Sequence, residues 1–549
     1  MKKLKDKDKR KLKKSSFIKN IIVLLTAHLF IKIIGVINKI YLTNREGFGD
    51  EGNAIYSSAF QIYTLFLTLS SIGIPNAVSK LVSERLAIGD SKGAHKVFRI
   101  AIITFGVIGF GCSIILFLFS HYIACQLIQI PEAELSLLAL SPSIFFVSIT
   151  SVIKGYFNGR ENLNVGANSQ TIEQVFRTII TIGLIEFIAQ STGLDTRVMA
   201  AGAAVATTLS EIICFMYLYK YYKSVKKEIA NEIKHSVNYQ YRGIRKTIKD
   251  IVSVSIPMSV APILGGINKN IDSMTIVRGL KNFMSETDAT LQYGILTGKV
   301  DTLIAFPLSF NAAFSSILIP SVSAAKASGN FSAAKRKVKF SILVSLLIGL
   351  PSTVVFILLA EPILNLLFPN QPEGAFLLQI SAISITFMML SQNVNSVLHG
   401  LGKTIIPAIC LSIGSVIKLI LNTILVKINP DTFILGGTAG AAFSTVVYHI
   451  VTCIIEFWIM QKNMKIHFEP KTFAKPFIAT IMMAICLVFT YQNLLRIISH
   501  NLCIIVALIV AVVIYAILIL ILRVFSEEEI KILPYGNIIY KVLKFLKIY

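Results

Sequence analysis

Six cationic residues stand inside long apolar runs of this chain: Lys32, Lys39, Arg177, Lys269, Lys299 and Lys418. A charge at the centre of a bilayer costs at least about 2.5 kcal/mol on insertion scales, so such residues face a partner or a water-filled cavity. Ammonium and guanidinium groups are natural clamps for phosphate oxygens. The chemistry suggested is therefore the holding of an anionic cargo. Plainer roles compete at several positions. Lys39 and Lys269 lie near the ends of their runs, where a long side chain can snorkel outward. Arg177 has Glu173 one helical turn earlier, a spacing that pairs charges. Lys299 and Asp301 are two apart and do not face each other on an ideal helix. Acidic residues inside the runs are Glu173, Glu186, Glu211, Asp272, Asp301 and Glu456; Glu173 and Asp272 are the foremost counter-charges.

Signatures of catalysis are missing. Gly400-Leu401-Gly402-Lys403-Thr404 imitates the end of a phosphate-binding loop, but Val397 stands where the first glycine must be. There is no HExxH or GxSxG pattern, and no outer loop large enough for a transferase site. The seven cysteines are scattered without metal-ligand spacing and read as small buried hydrophobes. No enzyme, metal or cofactor is expected, although coupling to the membrane potential or an ion gradient fits a transporter.

The elements that must position these charges follow from composition. Of 549 residues, 54% are hydrophobic and 15% charged. Apolar runs of about twenty residues each match the hydrocarbon thickness, and in lipid they must be helices because backbone groups have no other partners. Spans are placed at 19–43, 54–78, 97–120, 135–158, 165–190, 197–222, 250–276, 291–320, 338–360, 374–399, 404–428, 434–460, 475–496 and 501–523. The fold class is an all-α membrane protein of about fourteen helices. A net charge of +24 could suggest nucleic acid; here Lys and Arg collect in cytoplasmic connections and meet anionic lipid. Only Arg45, Arg197, Arg278, Lys281, Lys427 and Arg496 fall on the opposite connections. The positive-inside rule then puts both termini in the cytoplasm, with Met1 to Lys14 a solvated basic tail ahead of an uncleaved first span.

Motifs recur in order. Ile37-Asn38-Lys39 returns as Ile267-Asn268-Lys269, and Ile74-Pro75 as Ile319-Pro320. Ser151-Val152-Ile153-Lys154-Gly155 returns as Ser396-Val397-Leu398-His399-Gly400. Phe176-Arg177 falls against Ile417-Lys418, and Ala201-Gly202-Ala203-Ala204 against Ala439-Gly440-Ala441-Ala442. This is a duplication of a six-helix unit. An even number of spans gives both copies one orientation, with a site expected at their junction near mid-membrane. The expected organisation is a basic tail (1–18), a first lobe (19–222), a basic linker (223–249), a second lobe (250–460), two appended helices (475–523) and a cytoplasmic tail (524–549).

Lys32-Ile33-Ile34-Gly35, Gly73-Ile74-Pro75 leading into Ala77-Val78-Ser79-Lys80-Leu81-Val82, and Phe306-Pro307 to Ile319-Pro320-Ser321 followed by Ala327-Ser328-Gly329-Asn330 resemble the multidrug/oligosaccharidyl-lipid/polysaccharide exporter superfamily. The branch they resemble is that of the polysaccharide biosynthesis proteins, which includes stage V sporulation protein B and the lipid II flippases of Gram-positive bacteria. The resemblance implies two lobes plus two further helices in the bacterial cytoplasmic membrane. It also implies outward movement of an undecaprenyl-pyrophosphate-linked wall precursor by alternating access through a cationic central cavity. It sets Lys32 on one family arginine position and the next near Asn38 and Lys39. Asp301 fits a family aspartate on the eighth helix; Thr302 stands where one branch has arginine, and Lys299 is the nearest substitute. The site set is thus Lys32, Asn38, Lys39, Arg177, Lys269, Lys299, Asp301 and Lys418. Expected partners are a lipid-linked oligosaccharide pyrophosphate, membrane lipids and wall-synthesis enzymes, with no nucleic acid. Two alternatives stay open: a cation-coupled multidrug exporter of the same superfamily, and a non-transporting membrane scaffold for wall synthesis.

Overall fold

The computed structural model describes residues 30–68, 74–160, 162–191, 193–237, 243–329 and 331–525. Some side chains within the helices, that of Lys269 among them, lie outside the described set, as do the tails expected at 1–18 and 526–549. Among the described residues there is helix and no strand, as apolar runs in lipid require.

The chain separates into two compact units, one ending at Gly298 and the other starting at Lys299. The first holds α1 (30–44), α2 (Gly49–Leu67), α3 (Ile74–Ala87), α4 (Ser91–Tyr122), α5 (Glu134–Gly159), α6 (Leu163–Ser191), α7 (Thr196–Lys234), α8 (Ile244–Leu280) and α9 (Glu286–Gly294). The second holds α10 (Asp301–Ser328), α11 (Ser332–Leu358), α12 (Ala360–Leu367), α13 (Ala375–Ala382), α14 (Ser384–Gly400), α15 (Ile405–Leu425), α16 (Gly437–Met464), α17 (Pro470–Leu494) and α18 (His500–Ile521). Among the described residues, nine helical stretches are long and apolar enough to cross a membrane: Ser91–Ile128, Pro131–Gly159, Thr196–Lys234, Ala334–Leu358, Ala375–Gly400, Ile405–Leu425, Gly437–Met464, Phe473–Leu494 and His500–Ile521. The expected spans 165–190 and 250–276 are helical as well, within α6 and α8, and 291–320 runs from the end of α9 through a π-helical segment (Ile295–Val300) into α10.

Helix starts follow local chemistry. Asp90 caps α4 by accepting from the Gly93 N–H at 2.7 Å, and Arg85 holds its other oxygen at 2.9 Å. Asp195 caps α7 through the Arg197 N–H at 2.9 Å. Two π-helical segments, Ile123–Ile128 and Ile295–Val300, interrupt the α-geometry. The first ends at Gln129 in the left-handed region (φ 60°), and Lys281 donates to the Gln129 carbonyl at 3.1 Å.

Each unit is built round one central helix. In the first, α5 packs on α3, α4 and α7, and α6 lies along α7. In the second, α14 packs on α10, α11 and α16, and α15 lies along α16. Repeat-related glycines make repeat-related contacts. A Cβ on Gly155 would sit 2.8 Å from the Pro75 carbonyl oxygen; one on Gly400 would sit 2.8 Å from that of Ile319. A Cβ on Gly202 would meet Ile188 at 2.5 Å, and one on Gly440 would meet Leu425 at 2.6 Å. Small residues here allow close helix approach. In the second unit Asn311, Ser345 and Asn393, all fully buried, bind one another across α10, α11 and α14.

Two details differ from the linear reading. Helix α8, expected to open the second lobe, packs on α2, α3 and α4 of the first unit. Gly294 and Gly298 follow it against Asp50 and Asn53 of α2. The compact-unit boundary therefore falls later than the sequence repeat. The expected linker also starts as helix, because α7 continues without a break to Lys234.

Candidate functional site

In the first unit, Lys32, Gly35 and Lys39 fall at i, i+3 and i+7 on α1 and so share one face. Gly35 sets that face against α6: a Cβ there would lie 3.7 Å from Gln174 Nε2. Lys32 is exposed, Asn38 and Lys39 half-buried. Lys39 Nζ donates to Ser57 Oγ at 3.3 Å and lies 5.9 Å over the Tyr56 ring. The Asn38 Oδ1 is buried without a hydrogen-bond partner among the described residues. Tyr56 hydroxyl meets Thr207 Oγ1 at 3.1 Å, which ties α2 to α7.

Beside Gln174 lies a four-membered charge cluster. Arg177 Nη2 donates to Glu173 Oε1 at 2.6 Å and stands 3.6 Å from Glu211 Oε1; Lys154 Nζ is 3.8 Å from Glu173 Oε2. All four side chains are at most 18% exposed. A guanidinium in a low-dielectric bundle needs such partners, since an uncompensated buried ion is strongly unfavourable. Arg177 is thus held by carboxylates in the way its spacing from Glu173 allows. Lys154 and Glu211 were missed as partners in the sequence. They come from α5 and α7; the signals were Glu211's place among the acidic residues inside the runs and Lys154's place inside the repeated Ser151–Gly155 motif.

Glu173, Glu211 and the Cys214 thiol could bring ligand atoms within 4.8 Å of one another. A metal ion there would have to displace Lys154 and Arg177, whose charges already occupy the carboxylates. Glu186 is engaged elsewhere: Arg45 grips it with two hydrogen bonds of 2.9 Å, and the Tyr41 hydroxyl donates to it. Hydrogen bonding to that carboxylate holds Arg45 above its ordinary range.

The remaining residues lie apart from this cluster. Asp272 is half-buried on α8, and the Lys269 side chain lies outside the described set. In the second unit Lys299 falls in the π-helical segment and is fully buried. Its Nζ donates to the Gln371 carbonyl at 2.6 Å and reaches Glu373 at 4.0 Å. Asp301 and Thr302 are half-buried at the start of α10, and Lys418 is fully buried on α15. Glu456 on α16 is buried without a hydrogen-bond partner among the described residues.

A family model described as polysaccharide biosynthesis protein matches residues 17–326, and one described as MatE matches residues 292–424. The chain is 24% identical over 527 residues to stage V sporulation protein B of Bacillus subtilis, covering 95% of this chain and 98% of that protein. It is 25% identical over 435 residues to lipid II flippase MurJ of the same organism, covering 76% and 77%. Among solved structures it is similar to lipid II flippase MurJ in an inward closed conformation, with a TM-score of 0.66, 17% identity, and 90% and 98% of the two chains covered. It is also similar to an inward-facing multidrug resistance MATE family transporter of the MOP superfamily, with a TM-score of 0.62, 15% identity, and 81% and 98% covered. At those identities the structural likeness shows the fold.

Proposed function

Because the chain belongs to the polysaccharide biosynthesis protein family, we propose that it moves a lipid-linked oligosaccharide pyrophosphate from the inner to the outer leaflet of the bacterial cytoplasmic membrane by alternating access. The cargo that best fits is the undecaprenyl-pyrophosphate-linked wall precursor, lipid II. Support comes from relatives that carry the names lipid II flippase and stage V sporulation protein.

The observation that carries the reading is the face of α1. Lys32 remains exposed on an apolar helix, with Lys39 two turns along the same face and Gly35 between them against α6. An ammonium in that position suits pyrophosphate oxygens, while the polyprenyl tail stays in lipid. Arg177 acts here as support, ion-paired behind that face, rather than as the clamp. With the cell interior negative, each negative charge carried outward gains about 2.3 kcal/mol per 100 mV.

The test is binding of lipid II to the purified protein in lipid nanodiscs, with inorganic pyrophosphate as competitor. Lys32→Gln with Lys39→Gln is expected to weaken binding by about ten-fold or more, since each charge-assisted bond contributes roughly 1.5–3 kcal/mol. Unchanged binding in the double variant, or equal binding of the uncharged polyprenol, would overturn the reading. Cationic-drug efflux that survives the lysine changes would favour multidrug export instead.

A further inference from the structure

Glu456 sits within α16 with its side chain completely buried. Neither carboxyl oxygen has a hydrogen-bond partner among the described residues. Ser391 and Asn395, one turn apart on α14, face the carboxyl group, and Ser391 Oγ and Asn395 Oδ1 are themselves buried acceptors left without partners. Cys410 of α15 and Tyr448 and Cys453 of α16 are the other titratable groups that a charge on Glu456 would act on. Helix α13, also packed on α16, brings no titratable side chain. The next charged or titratable groups are His399, one turn beyond Asn395; Lys418, two turns beyond Cys410; and His449, two turns before Glu456.

An ionised carboxylate could accept from the Ser391 hydroxyl and the Asn395 amide, but its charge would remain completely buried with no ion-pair partner among the described residues, a costly way to bury a charge. One proton removes that charge. The carboxylic O–H can donate to Asn395 Oδ1 or Ser391 Oγ, and the second carboxyl oxygen can then accept from the Ser391 hydroxyl or the Asn395 amide.

We propose that Glu456 is a proton-binding site of the second unit, loaded as the neutral acid with Ser391 and Asn395 and discharged when water reaches the α14–α16 packing. Loading takes one proton from water and removes one negative charge; nothing is oxidised or reduced. This deepens the transport reading by naming a coupling ion, and rests on that reading for its purpose while its chemistry stands on Glu456 alone.

Infrared difference spectra of the full-length protein in nanodiscs, taken from about pH 5 to about pH 10, test the site without any cargo. The wild type should lose a protonated-carboxyl signal on alkalinisation, Glu456→Gln should lack that signal, and Asn395→Ala should shift its frequency. Glu456→Asp, which keeps a carboxyl group, serves if the glutamine variant does not fold, and its signal should move. A signal that never changes across the range, or that survives in Glu456→Gln, overturns the site. Loss of the signal at fixed pH on adding sodium chloride assigns it to a metal cation and overturns it too. In proteoliposomes, an imposed pH gradient should speed lipid II movement by wild type and not by Glu456→Gln. Titration of Glu456 in a protein that moves no lipid would instead sink the transport reading and leave the site standing.

Discussion

Arg177 shows how a single buried charge is made tolerable. Its bond to Glu173 is a one-turn pairing within α6, whereas Glu211 and Lys154 reach it from α7 and α5. Replacing Arg177 by Met leaves two carboxylates in the bundle with only Lys154 nearby. Breaking a buried pair in this way costs about 3–5 kcal/mol, read as a fall in thermal unfolding temperature in nanodiscs. Adding Glu173→Gln to Arg177→Met should restore part of the loss, with a coupling of roughly 0.5–3 kcal/mol in the double-mutant cycle. Strict additivity would mean the two side chains do not interact. The pairing within α6 was legible from spacing. The partners from other helices were not, because helical periodicity says which face a residue shares and nothing about what packs on that face.

At the scale of helices, the duplication is carried by glycines whose neighbours are backbone. Gly155, near the end of α5, and Gly400, at the end of α14, each lie against a carbonyl oxygen of the Ile-Pro pair that recurs in the two copies, Pro75 at the start of α3 and Ile319 within α10. Gly155→Ala and Gly400→Ala should each lower stability by about 1–3 kcal/mol through overpacking, since a carbonyl oxygen cannot rotate away as a side chain can. Gly106→Ala on α4 is the control. Nothing lies within 4 Å of its Cβ position, and alanine is favoured over glycine in a helix by up to about 1 kcal/mol. Equal unfolding temperatures for all three variants would show that these contacts do not stabilise the unit each belongs to. The motif pairs were visible in the linear sequence because each repeat must preserve the same close approach. The π-helical turn that carries Lys299 had no such trace, since an extra residue per turn leaves no compositional mark.

For the whole molecule, the basic extension of α7 and the acidic start of α9 should lie on opposite sides of the membrane. With the seven native cysteines replaced, Ser224→Cys should be labelled by an impermeant thiol reagent only after the membrane is opened from the cytoplasmic side, and Ser285→Cys in intact cells. Both positions are exposed, so equal labelling would overturn the assigned orientation. Composition alone determined the membrane class and the helical secondary structure, because hydrocarbon offers no partner to a backbone amide outside its own helix. Ordered motif pairs determined the repeat. Tertiary structure decided the rest: that Arg177 is balanced by Glu211 as well as Glu173, that α8 packs with the first unit, and that Glu456 is completely buried. The reason is physical. Solvation free energy is set by the run of residues and can be summed along a chain, whereas the field at a buried charge is set by atoms a few ångströms away that belong to distant parts of the sequence.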